Sequence, residues 1–66
     1  MASYYVNDIA QANGDHEVHV PTCTYFPSNH TYLGDFTSCA PAVTEAKKKW
    51  SQSNGCVHCC RPCHTS

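Results

Sequence analysis

The stretch Gly55-Cys56-Val57-His58-Cys59-Cys60-Arg61-Pro62-Cys63-His64 gathers four of the chain's six cysteines and two of its five histidines into ten residues. Two cysteines separated by two residues on a tight turn can place both sulfurs on one cation, and Asn54-Gly55 supplies turn chemistry just ahead of them. Cys56-x2-Cys59 therefore reads as half of a tetrahedral Zn²⁺ site. The other half has to come from elsewhere in the chain.

Length makes some such device necessary. A chain of 66 residues has room for one domain and buries only about 60% of the surface it exposes when unfolded. Its strong aliphatics are one Leu (Leu33), one Ile (Ile9) and the valines Val6, Val18, Val20, Val43 and Val57, which makes a thin core. Small scaffolds of this kind add disulfides or a structural metal. Structural zinc contributes an apparent ~10–16 kcal/mol in finger peptides, against ~2–4 kcal/mol for a disulfide, so either device suffices.

Two features favour metal. The opening residues, Met1-Ala2-Ser3-Tyr4-Tyr5-Val6-Asn7-Asp8, show no basic region followed by an apolar run, which points to a reducing, cytoplasmic setting. Histidines interleaved with the cysteines are superfluous to a disulfide framework but are natural ligands for a borderline-soft cation. A disulfide-stapled secreted peptide is the alternative. No apolar run is long enough to span a membrane, and no basic amphipathic helix is present to lie on one.

Read in order, Ser3 to Ala10 and His16 to Val20 suit strands, with Asn13-Gly14-Asp15 as a hairpin signal between them. Val20 is followed by Pro21, which ends regular pairing and leaves His19 and Cys23 at a strand-to-turn transition. Thr22 to His30 reads as loop, His30 included, and Thr31 to Phe36 as a third strand with Gly34 marking a bulge. Ser38 is a suitable N-cap, Pro41 falls in a first turn that needs no N–H from it, and Glu45 precedes Lys47, Lys48 and Lys49. These signals predict a helix over about 39–50, with Cys39, Val43, Ala46 and Trp50 as its apolar stripe. Ser51 to Gly55 then reads as a polar turn.

His19-x3-Cys23, a strand ending in Phe36, Ser38 with a short helix carrying Ala42 and Ala46, and Cys56-x2-Cys59 together resemble the N-terminal zinc domain of the Ada methylphosphotriester repair family, over roughly residues 16 to 60. In that family a Cys-x3-Cys pair after one strand and a Cys-x2-Cys pair after a helix hold one Zn²⁺, and the first cysteine accepts a methyl group from DNA phosphate. Here that position is His19, and imidazole cannot replace a zinc-bound thiolate as methyl acceptor. The resemblance implies the scaffold and the metal and argues against the repair chemistry.

The expected ligand set is His19, Cys23, Cys56 and Cys59, with His16 or Cys60 as the alternative fourth ligand. Four protein ligands leave no open position for water, so the zinc is expected to be structural. Cys39, Cys60, Cys63 and His64 form a candidate second site through Cys60-x2-Cys63-His64. Against this, Cys39 lies on the helix stripe, where a free cysteine behaves as a small buried hydrophobe.

Lys47-Lys48-Lys49 and Arg61 face five acidic residues, for a formal net charge of −1. That is a weak phosphate footprint, and nucleic-acid binding is not indicated. No nucleophile–base dyad is visible either. The expectation is a single small α+β zinc-stabilised domain over residues 1–66, with a short antiparallel sheet, one helix, a zinc knuckle at 56–59 and a tail at 60–66. It is expected to be non-enzymatic and to act as a binding or adaptor module for protein or nucleic acid. The alternative from another class is a metal-handling or thiol-reactive protein using Cys60, Cys63 and His64.

Overall fold

Strand β1 (Ala2–Asn7) is the element that the others pair against. In the computed structural model, which describes residues 1–65, β2 (His16–His19) and β3 (His30–Phe36) flank it, both antiparallel. A fourth strand, β4 (Ser53–Gly55), lies parallel to β2, giving the order β3-β1-β2-β4. The sheet is therefore mixed, and the purely antiparallel expectation is corrected. Ser66, the last residue of the expected tail, lies outside the described residues.

The strand ends differ modestly from the expected ones. β1 stops at Asn7, whose side-chain oxygen accepts the Ile9 N–H at 2.9 Å and turns the chain. The β1–β2 loop closes through Gly14, which has φ +92°, and through the Asp15 N–H bonded to Asn13 Oδ1 at 3.0 Å. In β3, pairing shifts between Tyr4 opposite Gly34 and Tyr5 opposite Tyr32. Leu33 is the extra residue of that bulge, and Gly34 takes φ +130° beside it. His30 begins β3, not the end of a loop, with its ring nitrogen 2.9 Å from the Pro27 carbonyl.

Helix α1 (Cys39–Ala46) is shorter than the predicted 39–50. Lys47 still bonds back four residues to Val43, but Lys48 bonds to Glu45 and Lys49 to Ala46, so the chain tightens to three-residue spacing and leaves the helix. Cys39, Ala42 and Ala46 are the buried positions of the helix, and Val43 and Trp50 of the expected stripe pack against the core partly buried. Two alanines let the backbone settle close on the sheet, where Val6 and Val18 are fully buried and paired across β1 and β2. Trp50, carried out of the helix, lies flat on the His16 ring at 4.2 Å between centroids.

Two of the three lysines after the helix, Lys48 and Lys49, are paired. Lys48 pairs with Glu45 at 3.0 Å, and Lys49 reaches the Asp8 carboxylate at 3.3 Å and the Thr31 hydroxyl at 2.7 Å. This ties the end of α1 to the β1–β2 loop and to β3.

The buried apolar residues are Tyr4, Val6, Val18, Cys39, Ala42, Ala46, Cys56 and Cys60, and the other three cysteines pack against them. Fully burying a valine is worth only ~1.5–3 kcal/mol. Three of those eight residues are cysteines, so sulfur fills much of a core with few large aliphatics.

Candidate metal centre

The centre begins where β2 ends. Pro21 presets the turn Val20-Pro21-Thr22-Cys23, which is closed by the Cys23 N–H bonded to the Val20 carbonyl at 3.0 Å. This brings Cys23 back beside His19. The opposite half arrives by strand pairing. Parallel register sets Val18 against Gly55, and the next backbone bond, Cys56 N–H to Val18 carbonyl at 3.0 Å, carries Cys56 alongside His19. From there the knuckle turns back on itself: the Cys60 N–H bonds to the Cys56 carbonyl at 2.8 Å, and the His58 N–H points at the Cys56 sulfur at 3.4 Å.

One ligand atom from each of His19, Cys23, Cys56 and Cys59 then lies within 4.8 Å of every other. Cys23 Sγ is 3.9 Å from Cys56 Sγ, and Cys59 Sγ is 3.8 Å from His19 Nδ1. Zinc–sulfur bonds of ~2.3 Å in a tetrahedron put two sulfurs about 3.8 Å apart, with a sulfur–nitrogen edge slightly shorter. The donor set suits a tetrahedral cation in kind, the two shortest edges match it in length, and these four residues could hold a metal ion.

The surroundings suit the ligands. His19 is 2% exposed. Burial lowers its pKa, the Glu17 carboxylate opposes that shift and His58 adds to it, so the imidazole is neutral at neutral pH, as a ligand must be. With Nδ1 turned to the sulfurs, Nε2 faces Glu17 Oε1 at 3.7 Å, the position of an outer carboxylate that orients a metal-bound histidine. Burial pushes the Cys59 thiol strongly up, partly countered by the Val20 backbone N–H aimed at its sulfur. A divalent cation reverses such a balance, because the species it binds is the thiolate.

His16, the alternative fourth ligand, is elsewhere. Its Nδ1 is 2.9 Å from the Asn7 carbonyl and its ring is stacked on Trp50. Cys60, the other alternative, is buried just outside the quartet with its sulfur 3.9 Å from Cys59 Sγ. Burial raises its pKa. His58 stacks on Tyr25 at 4.4 Å.

The second expected group is not assembled as a site. Cys39 and Cys63 are joined in a disulfide, with Cα atoms 6.3 Å apart, so neither offers a thiolate, and Cys39 is more than a helix-stripe hydrophobe. His64 turns its Nδ1 to the Gly55 carbonyl at 3.1 Å. The cysteines thus divide into one disulfide and four free thiols.

Strand β4, on which the candidate centre depends, lies where the sequence predicts a polar turn. Its signal is long-range: buried Asn54 donates to Asp15 Oδ2 at 3.0 Å and accepts the Thr65 N–H at 3.0 Å. A cleft of about 280 Å³ beside Trp50, lined by Gly14, His16, Lys49, Trp50, Ser51 and Gln52, includes none of the sulfurs. Among the described residues no helix is long and apolar enough to cross a membrane. No family model, no curated protein and no solved structure matches this chain.

Proposed function

We propose that this chain is a small non-enzymatic zinc module, in which His19, Cys23, Cys56 and Cys59 hold one Zn²⁺ whose role is structural. The observation that carries the reading is the convergence of those four ligand atoms within 4.8 Å, three sulfurs and one nitrogen. Four protein ligands close the coordination sphere, and a closed sphere neither activates water nor polarises a substrate. The ion clamps the turn after β2 to the knuckle after β4.

On this reading the module works by presenting a surface, as a binding or adaptor domain. Its scaffold is of the Ada zinc-domain kind, with the methyl-accepting thiolate replaced by the His19 imidazole. Zinc release by a chelator would take the fold with it. Native mass spectrometry of the oxidised protein tests the reading: one zinc per chain is expected, and a metal-free folded chain would overturn it.

The Cys39–Cys63 bond favours a second reading, a disulfide-stapled peptide of an oxidising compartment. There the remaining thiols would pair as well. The same spectrum separates the two, since each further disulfide removes about two hydrogens from the mass and removes ligands from the centre.

A further inference from the structure

Three sulfurs lie outside the first quartet: Cys39 and Cys63, joined in the disulfide, and Cys60, which one short turn of backbone connects to Cys63 and whose sulfur is 3.9 Å from Cys59 Sγ. Residues Arg61–Cys63 form a 3₁₀ turn, closed by the Cys63 N–H bonded to the Cys60 carbonyl at 2.9 Å. Cys60 therefore sits one turn from Cys63, with the same two-residue spacing as Cys56 and Cys59. The turn is pressed onto β4: a Cβ built at Gly55 would lie 2.6 Å from the Cys60 carbonyl oxygen and 2.7 Å from Cys63 Cβ. Cys63 is bonded to Cys39 at the start of α1, so those two sulfurs share one location. Cys60 is 1% exposed and carries a free thiol.

His64 follows directly. A carbonyl oxygen only accepts, so the 3.1 Å contact between His64 Nδ1 and the Gly55 carbonyl puts the proton on Nδ1 and leaves the Nε2 lone pair available. A backbone carbonyl holding one ring nitrogen while the other ligates is the usual arrangement of a metal-bound histidine.

We propose that the Cys39–Cys63 disulfide is a redox gate on a second metal site, made of Cys39, Cys60, Cys63 and His64, which opens to a thiophilic divalent cation such as Zn²⁺ when the disulfide is reduced. A dithiol reductant delivers two electrons and two protons, the Cys39–Cys63 S–S bond breaks to two thiols, and the reductant leaves as its own disulfide. The cation then displaces three protons, one each from Cys39, Cys60 and Cys63, and takes the His64 Nε2 lone pair as its fourth donor. This site shares no ligand with the first centre. In a strongly reducing compartment the chain carries two ions, and in an oxidising one it carries one ion and a staple, so its metal content reports the redox poise around it.

The test is Co²⁺ binding followed by absorption of the thiolate complex and by native mass spectrometry. It compares the oxidised chain with the chain reduced by a phosphine and freed of reductant without air. The expected result is one Co²⁺ per oxidised chain and two per reduced chain. Cys60→Ala, which keeps a small apolar group in the core, is expected to bind one in either state, and so is the C39A/C63A double variant. A reduced wild type that still binds one, or a reduced Cys60→Ala that binds two, overturns the gate. An oxidised chain that binds none, with one bound on reduction and lost in Cys60→Ala, upholds the gate and overturns the first centre instead.

Discussion

The Cys56 N–H donates to the Val18 carbonyl at 3.0 Å, continuing the parallel pairing of β2 with β4 by one residue and setting a cysteine beside His19. The strand ladder thus does what a ligand spacing alone cannot. It joins two halves of a centre that lie 33 to 40 residues apart in the chain.

If that centre closes the fold, removing any one donor opens it. Cys23→Ser, Cys56→Ser, Cys59→Ser and His19→Ala are each expected to lose the metal and the fixed tertiary structure. The ~10–16 kcal/mol attributed to structural zinc is as large as the ~5–15 kcal/mol total stability of a domain. His16→Ala removes the Trp50 stack and is expected to keep the metal at a cost of about 1 kcal/mol. Near-ultraviolet circular dichroism with metal analysis reads both outcomes.

Gly55 is where β4 and the 3₁₀ turn touch. Gly55→Ala places a methyl group within 3 Å of the Cys60 carbonyl oxygen and Cys63 Cβ, both fixed by their own bonds. A loss of roughly 1–3 kcal/mol is expected, as for other overpacked sites. Urea denaturation of the zinc-loaded protein measures it, and an unchanged midpoint would mean that the turn is not pressed on the strand.

The disulfide closes a segment with a sequence separation of 24. Chain-entropy arguments give such a loop about 3 kcal/mol. The C39A/C63A variant, zinc-loaded, is expected to be less stable by that amount, and so to melt at a lower temperature, while retaining the first metal. Calorimetry at fixed zinc concentration checks it.

Acid sensitivity has a carboxylate component outside the centre. The Thr31 hydroxyl, more than the Lys49 ammonium, holds the Asp8 carboxyl below its ordinary pKa of 3.8. A group depressed on folding contributes stability that is complete above its unfolded pKa and is lost as pH falls through the folded one. Asp8→Asn is therefore expected to be less stable than wild type by about 1 kcal/mol or less above pH 4. The two proteins should converge at lower pH. Taking the difference between them at each pH cancels the acid loss of metal common to both.

The site was more legible in sequence than the sheet was, and for a physical reason. His19-x3-Cys23 with Pro21 between them and Cys56-x2-Cys59 are local turns, and local spacing decides where their side chains go. Ser53-Asn54-Gly55 has none of the branched or aromatic residues that mark strands. It is held as β4 by Asn54 bonding to Asp15 across 39 positions, which no window of sequence displays. The Cys39–Cys63 bond is hidden for the same reason. Trp50 packs against the core, as the apolar stripe predicts, but from a backbone that has already left the helix, because Lys48 and Lys49 tighten to three-residue spacing.

X-ray absorption at the zinc edge of the oxidised, zinc-loaded protein tests the central claim most directly. Three sulfurs at ~2.3 Å and one nitrogen at ~2.0–2.1 Å are predicted, with the nitrogen lost in His19→Ala. Four sulfurs would place Cys60 in the shell instead of His19, and a shell of oxygen and nitrogen alone would remove the cysteines from it. Either result would contradict the account.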